Sequence, residues 1–217
     1  MTGFSGSPQL AKGGIVVLDP ARSMVQRVIP LQYNPESLNR SFQVQGAGGE
    51  DGALSAALRL RGPAVETLKL DAELDATDLL EVADESATEL GIHRELAALE
   101  SLLYPSTSAL SANNEKARGG TLEIAPMESA LTLFVWSKER ILPVRITELS
   151  ITEEAFSPSL NPLRAKVSLG MRVLSVDDVG FDHKGGSLFM TYLARKEQLR
   201  DRTAAVQLSR LGIGGIT

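Results

Sequence analysis

The sequence lacks cysteine, and other residue types that often carry chemistry are scarce. Without cysteine, the chain has no disulfide scaffold, no thiolate metal site and no cysteine nucleophile. Its 217 residues include only two histidines and one tryptophan, and aromatic side chains make up 5%. Redox chemistry on cysteine is therefore excluded, and the lack of disulfides fits synthesis in the cytoplasm.

Concentrated basic charge and long apolar runs are also missing. The formal net charge is −5 and the sequence pI is about 5.2, which argues against a nucleic-acid partner because phosphate binding needs a basic face. The longest apolar runs, such as residues 131–136, are too short for a membrane span, and residues 1–14 lack the pattern of a signal peptide. We expect a protein without a membrane span that is cytoplasmic when it is made.

The apolar and charged fractions are those of a globular protein. Apolar residues make up 43% and charged residues 23%, and a chain of this length can bury roughly 70% of its unfolded surface. The pattern divides the chain into a flexible leader over residues 1–13, a β-rich domain over 14–180 and a C-terminal helical docking segment over 187–217. The charged stripe of that segment suggests docking on a neighbour rather than in the core.

Strict alternation of apolar and polar residues predicts the clearest strands, over residues 66–76 and 163–173. The strand before the second of these has an apolar phase that shifts between Ile146 and Leu149, which predicts a β-bulge. Antiparallel pairing of these last two strands sets opposite charges across from each other, and the charged residues are Glu148, Glu153, Glu154, Arg164, Lys166 and Arg172.

Weaker patterns predict the other elements. We expect strands over residues 14–19, 27–33, 131–136 and 141–152 and from Leu38 onward, helices over 89–104 and 187–210, and loops over 45–52 and 106–120. Between two of these strands, Asn34 and Pro35 suit the first two positions of a type I turn. The segment around them is therefore predicted to be a β-hairpin that joins neighbouring strands.

No motif in the sequence predicts a catalytic, cofactor or metal site. Nucleophile-elbow and phosphate-loop motifs are absent. The two histidines, His93 and His183, fit no metal-ligand spacing and are expected at the surface. The single carboxylate cluster worth testing shares one face of a strand, which is more typical of a solvated side than of a calcium site, and it comprises Asp71, Glu73, Asp75 and Asp78.

Two stretches together resemble a known family. They are LQYNPESL at residues 31–38, and PVRIT at 143–147 continuing to FSPSLNPLRA at 156–165. Over residues 15–176 the chain is similar to the tube-initiator or hub-adaptor baseplate proteins of contractile injection systems and contractile phage tails. Longer members of that family carry a LysM domain at the C-terminal end. This sequence has a short helical tail there, so the role of that domain is not carried over.

The resemblance implies a barrel-like β-domain with one helix, related to the tail-tube subunit. Together with the residue pattern it predicts a mainly β (α+β) fold, either a tail-tube-like β-barrel or two packed antiparallel sheets with one helix, plus a C-terminal helical tail. It implies a homo-oligomeric, hexameric ring that joins the spike hub to the inner tube, contacts neighbouring baseplate proteins and ends up in a phage tail-like particle. No cofactor and no enzymatic activity are implied. Matching positions give the expected assembly contacts, which are Tyr33, Asn34, Pro35, Glu36, Asn161, Pro162 and Arg164.

Two other functions stay open at the level of sequence. The chain could be a monomeric β-rich module that binds a carbohydrate or peptide through the aromatic side chains of Trp136 and Tyr33. It could also be an enzyme with an acidic site around residues 71–78. The structural interpretation further predicts that removal of residues 187–217 leaves the β-domain folded and weakens assembly.

Overall fold

The computed structural model describes residues 11–19, 24–46, 59–119 and 129–202. In these residues, seven strands form one antiparallel sheet in the order β2-β1-β5-β6-β7-β4-β3, accompanied by six helices. The predicted mainly β (α+β) fold class is confirmed, and one sheet replaces the alternative of two. The elements are β1 (Gly14–Leu18), β2 (Val25–Pro30), β3 (Leu38–Gln43), β4 (Val65–Asp75), α1 (Thr77–Glu81), α2 (Glu85–Leu90), α3 (His93–Glu100), α4 (Thr107–Arg118), β5 (Leu131–Ser137), β6 (Arg140–Phe156), β7 (Pro162–Val173), α5 (Val176–Val179) and α6 (Lys184–Asp201).

The core lies on one face of the sheet, where the alternating residues of β4 and β7 meet. Leu68 lies opposite Met171, and Leu70 lies opposite Leu169; all four side chains are buried. Each such side chain contributes roughly 1.5–3 kcal/mol by leaving water. Because strand side chains alternate between faces, the residues between them carry the charge on the other side. The alternation seen in the sequence is therefore the origin of the core.

The predicted pairing of β6 with β7 and the predicted bulge are both confirmed. The register shifts between Ile146 and Glu148, and beyond it Glu154 lies opposite Arg164. Across the same pair of strands, Lys166 Nζ lies 3.1 Å from Glu154 Oε1. The ion pair is exposed and contributes little stability, about 0–1 kcal/mol. The charges thus help to fix the register rather than to stabilise the fold.

The prediction of a hairpin around Asn34 and Pro35 is wrong. β2 pairs with β1, β3 pairs with β4, and the two strands lie at opposite edges of the sheet. The turn residues instead belong to a connection, residues 31–37, that runs from one edge to the other. In a flat sheet those edges would be about 29 Å apart, roughly the reach of this connection when fully extended. Since the connection contains bends at residues 32, 33 and 36, the sheet must be rolled.

The helical region between β4 and β5 differs from the sequence prediction in two places. The helix predicted over residues 89–104 is divided into α2 and α3 at Gly91, which has a φ of +57°. A Cβ at Gly91 would lie 2.1 Å from the carbonyl oxygen of Pro162, so only glycine fits there. The loop predicted over residues 106–120 is wrong, because α4 occupies most of it. Ser106 caps that helix by accepting a hydrogen bond from the amide of Ala109.

The C-terminal helix α6 packs on the sheet of its own chain. Phe189 and Tyr192 are buried and belong to the core, although the sequence suggested docking on a neighbour. Of the predicted helix over residues 187–210, the part after 202 lies outside the described residues, as do residues 1–10 of the leader and 47–52 of the glycine-rich loop. Within the described ranges, no helix has the length and apolar character required to cross a bilayer.

Candidate functional site

The two motif stretches of the sequence meet at the end of β4. We call this site the Asp75 corner and define it by Gln32, Tyr33, Asp75, Asp78 and Arg164. The side-chain amide of Gln32 donates to the carbonyl oxygen of Asp75 at 2.6 Å and accepts from its amide at 2.8 Å. β3 pairs with β4 only as far as residue 70, so the amide of Gln32 takes the place of a neighbouring peptide where that pairing has ended.

Charged and hydroxyl groups complete the Asp75 corner. Thr77 donates to the carboxylate of Asp75 through its hydroxyl and its amide, and Arg164 Nε donates to the same carboxylate at 2.9 Å. The hydrogen bonds from Thr77 are the largest cause that lowers the pKa of Asp75, and the hydrogen bond and charge of Arg164 lower it further. Tyr33 donates to Asp78 Oδ2 at 3.3 Å. Partial burial, followed by the carboxylate of Asp78, raises the pKa of Tyr33.

Three further predicted contact residues are Asn34, Pro35 and Glu36 in the connection after β2, and Asn34 binds the segment before β1. Asn34 Oδ1 accepts from the amide of Gly13 at 2.9 Å, and Asn34 Nδ2 donates to the carbonyl oxygen of Ala11 at 2.8 Å. Pro35 is half-buried, and Glu36 is exposed. Asn34 therefore holds the segment that enters β1.

The remaining two predicted contact residues hold the β6–β7 turn against the helices. Asn161 Nδ2 donates to the carbonyl oxygen of Glu89. Pro162 is buried, and its carbonyl oxygen accepts from the amide of Ile92 at 2.9 Å. The large apolar side chains that this turn exposes are those of Phe156 and Leu160, which the sequence analysis did not select. The signal for them was two large apolar residues in the otherwise small and polar turn FSPSLNP.

Replacing Gln32 with alanine is expected to destabilise the protein by about 1–3 kcal/mol. The change leaves the amide and carbonyl of Asp75 without their partner, which costs more than the loss of an exposed hydrogen bond. Denaturant unfolding measures the effect, with Gln26→Ala on the exposed face of β2 as the matched control. Equal stabilities of the two variants would contradict the role given to the corner.

The other residues considered from sequence do not converge on one site. On the acidic face of β4, Glu73 lies opposite Lys166 and Asp75 lies opposite Arg164. In the part of the chain that the structure describes, no group of three or more histidine, aspartate or glutamate residues could hold a metal ion.

The two histidines and the tryptophan also lie apart. His93 begins α3 and is exposed, while His183 caps α6 by accepting from the amide of Gly185 at 3.0 Å. Trp136 is half-buried and stacks on Phe134 with a centroid distance of 5.8 Å.

A second polar cluster, which sequence reasoning missed, fastens α6 to the sheet. We call it the Glu66 network and define it by Arg40, Glu66, Tyr192 and Lys196. The side chain of Glu66 is only 4% exposed and lies 2.6 Å from Arg40 Nη2 and 3.2 Å from Lys196 Nζ. The hydroxyl of Tyr192 donates to Glu66 and accepts from Arg40. The alternation of β4 places Glu66 on the same face as Leu68, so its burial could have been predicted from sequence.

Burial shifts the pKa values of Tyr192 and Lys196. Burial, followed by the nearby charge of Glu66, raises the pKa of Tyr192 to about 12. Burial lowers the pKa of Lys196, although Glu66 acts in the opposite direction. Both groups therefore favour their neutral form more than an exposed side chain does.

Stability is expected to fall between about pH 10 and pH 12 because of Tyr192. A raised pKa stabilises the folded state fully below the unfolded value near 10, and the contribution is lost as the pH rises through the folded value of about 12. The loss is at most about 3 kcal/mol, and deprotonation of Lys196 offsets part of it. Urea unfolding at two pH values should show a smaller loss in Tyr192→Phe and an unchanged one in the exposed control Tyr104→Phe. An identical loss in all three proteins would contradict this assignment.

The edges of the sheet are a third feature of the described residues. β2 and β3 each pair on one side only, and beyond Val144 β6 has no described partner on the side of β5. The amide of Leu31 donates to the carbonyl oxygen of Gly13, so by alternation the amide of Val28 points away from β1. Val28 is exposed. An unpaired strand edge of this kind can accept a further strand.

Comparisons with known proteins give little further information. No protein-family model matches the chain. No curated protein matches it either. The chain is similar to a chain of a solved structure described as "Virion of native gene transfer agent (GTA) particle", with 11% identity and a TM-score of 0.29 over 75% of this chain and 91% of that chain. A similarity this weak does not carry fold or function from one chain to the other.

Proposed function

We propose that the chain is a structural subunit of a contractile injection system, a phage tail-like particle. Copies of it, six in the form that the family resemblance implies, make a ring that joins the spike hub to the inner tube and templates tube assembly. In this proposal the chain acts through its shape and its contacts rather than through a reaction. Its partners are further copies, the hub protein, the tube protein and neighbouring baseplate proteins.

The observation that carries the proposal is the pair of open strand edges at the two ends of the sheet order. β2 and β3 each pair on one side only among the described residues. Monomeric proteins protect long edges because unpaired backbone groups recruit other strands. A ring of copies removes both edges, since the β2 edge of one copy can pair with the β3 edge of the next. Such a contact joins unlike surfaces, which is the geometry that closes into rings.

The Asp75 corner supports the same proposal in a different way. Gln32 ties the connection between the two edge strands to the end of β4 by two hydrogen bonds with the backbone of Asp75, and Arg164 of β7 pairs with the carboxylate of the same residue. The two edges are therefore held in a fixed relation to each other. A ring subunit needs such a relation because a small change in the angle between its two contact surfaces would prevent closure.

The Val28→Pro variant tests the proposal. Because the amide of Val28 points away from β1, Val28→Pro removes an outward donor and keeps the pairing within the chain. The natural Pro30 already occupies the equivalent position two residues later. Analytical ultracentrifugation and negative-stain microscopy should show rings with the wild type and with Val28→Thr, and monomers with Val28→Pro. Rings of equal stability in both variants would overturn the proposed role of the β2 edge.

A further inference from the structure

We propose that opposite ends of this chain bind each other head to tail in successive copies. The knob, defined as Phe156 and Leu160 in the β6–β7 turn, docks on the apolar patch, defined as Phe42, Val44 and Leu60. The inference rests on the proposed function for its setting, which is one ring stacked on the next. It adds to that function a contact between stacked rings of this chain, whose outermost faces stay free for the hub and tube proteins.

The knob is held rigidly and faces water. Leu160 is 78% exposed and has a φ of +62°, a backbone conformation that is costly for leucine. The turn is fixed by a 2.9 Å hydrogen bond from the amide of Ser157 to the carbonyl oxygen of Asn161, and Asn161 is in turn bonded to Glu89. Phe156 is 51% exposed beside it. A strained turn that holds large apolar groups in solvent indicates a contact surface.

The apolar patch lies at the far end of the sheet. Phe42 and Val44 share one face of the β3 segment, and Leu60 lies opposite Gly46 in an isolated bridge just beyond them. All three side chains of the patch are exposed, with Leu60 at 70%. Arg40 and Lys196 lie over the ring of Phe42, with centroid distances of 5.1 and 5.2 Å. The patch is therefore apolar, with two cations over the ring of Phe42 and the carboxylate of Asp177 beside Gly62, near Leu60.

The end that carries the knob is acidic. Asn161 and Pro162 join the knob to the segment over residues 75–95. This segment contains one arginine, Arg94, and seven carboxylates: Asp75, Asp78, Glu81, Asp84, Glu85, Glu89 and Glu95. Most of these carboxylates are exposed. The segment that the knob turn contacts is therefore acidic on balance, with Arg164 of β7 paired to Asp75 within it.

The end that carries the patch is basic. Residues 59–61 contribute two arginines, and the β5–β6 turn contributes Lys138 and Arg140 against Glu139. The end of α6 adds four basic and two acidic residues over 195–202. Asp177 and Asp178 of α5 also lie at this end, where Asp178 pairs with Arg172, and the balance of charge stays positive. Arg195 and Arg202 line an open depression of about 360 Å³ on this side. The two ends of one chain therefore carry opposite charge.

These features fit a second copy of the chain better than any contact within one chain. β4 runs from the basic end to the acidic end, and a strand of its length spans about 33 Å, so the knob cannot reach the patch of its own chain. Between copies, the apolar knob contacts the apolar patch, and the acidic end of one copy faces the basic end of the next. Because the two surfaces differ, the contact leaves one free surface at each end and can be repeated.

The test uses one variant for each surface. Leu160→Asn removes the apolar side chain and suits the positive φ, so the turn is kept. Leu60→Thr removes the centre of the patch. Leu110→Gln on α4, whose residues are not buried, is the matched control. Each change is made in the full chain and in the Val28→Pro chain, where the contact can be measured without rings.

Sedimentation is measured for each variant alone and for equimolar mixtures at low and high salt. The parent and Leu110→Gln are expected to associate more weakly as salt rises, and each single variant is expected to lose affinity by about tenfold or more. A mixture of Leu160→Asn with Leu60→Thr should recover a dimer, because one intact knob then meets one intact patch.

Three results would overturn the inference: a parent chain that stays monomeric at low salt, variants that associate like the parent, or a mixture that recovers nothing. Absence of rings in the full wild-type chain, with recovery of a dimer in the mixture, would contradict only the proposed function. Rings that form normally but never stack would contradict only the head-to-tail contact.

Discussion

Arg40→Met is expected to lower the free energy of unfolding by about 3 kcal/mol. Glu66 is almost fully buried, and Arg40 is its closest cation at 2.6 Å. Removing one partner of a buried pair leaves a charge that is neither solvated nor fully paired. Lys196 and Tyr192 still contact the carboxylate, which keeps the loss at the lower end of the range for such changes. Urea or guanidinium unfolding measures the effect.

Two controls separate this effect from ordinary loss of a surface charge. Lys69→Met removes one side of an exposed ion pair with Glu148 and should change stability by no more than about 0.5 kcal/mol. Adding Glu66→Gln to Arg40→Met should restore part of the loss, since a neutral amide no longer needs a cation. If the double variant lost as much as the sum of the single variants, the network would not be coupled as described.

Phe189→Ala is expected to cost about 3–5 kcal/mol, the range for removal of a buried phenylalanine side chain. Phe189 is 6% exposed and belongs to the core cluster together with Tyr192. The adjacent Met190 is exposed, so Met190→Ala makes a similar truncation on the same helix without opening a cavity in the core. Thermal unfolding of the two variants, compared with the wild type, gives the difference directly.

This prediction changes the expectation for removal of residues 187–217. The sequence pattern suggested that the β-domain would stay folded without them. The structure places Phe189 and Tyr192 of that segment in the core and Tyr192 and Lys196 on Glu66. We therefore expect the truncated chain to unfold or to lose cooperativity. A truncated chain with wild-type stability, or a Phe189→Ala variant no weaker than Met190→Ala, would show that α6 is dispensable for the fold.

The sequence predicted the parts of the fold that depend on local alternation. The strands β4 and β7 follow directly from alternating apolar residues, because a strand buried on one face needs that period. The bulge after Ile146 and the pairing of β6 with β7 followed from a shift of phase and from opposite charges. These features depend on the pattern of residues within each strand, so they could be predicted without knowing the tertiary contacts.

Features that depend on distant partners were not predicted. The turn at Asn34 and Pro35 has the local chemistry of a hairpin, but the choice of β1 and β4 as partners for the flanking strands is made elsewhere in the chain. The helix α4 was not predicted because none of its residues is buried, so its sequence lacks the apolar stripe that indicates a helix. The helix over 89–104 was divided because the Pro162 carbonyl leaves no room at Gly91.

The candidate site was predicted in the same partial way. The family resemblance selected Tyr33 and Arg164, which both take part in the Asp75 corner. It did not select Gln32, whose amide makes the two central hydrogen bonds there. Burial of Glu66 was readable from its phase in β4, yet its partner Tyr192 comes from a helix more than a hundred residues later. The sequence can indicate which residues belong to a site, whereas the residues that they contact can be identified only from the tertiary structure.

Native mass spectrometry of the purified chain, alone and mixed with the spike hub and tube proteins of the same particle, tests the central claim most directly. The account predicts a closed ring of one defined copy number, six on the family resemblance, that binds both proteins. A chain that remains a monomer at every concentration, with and without those proteins, would contradict it.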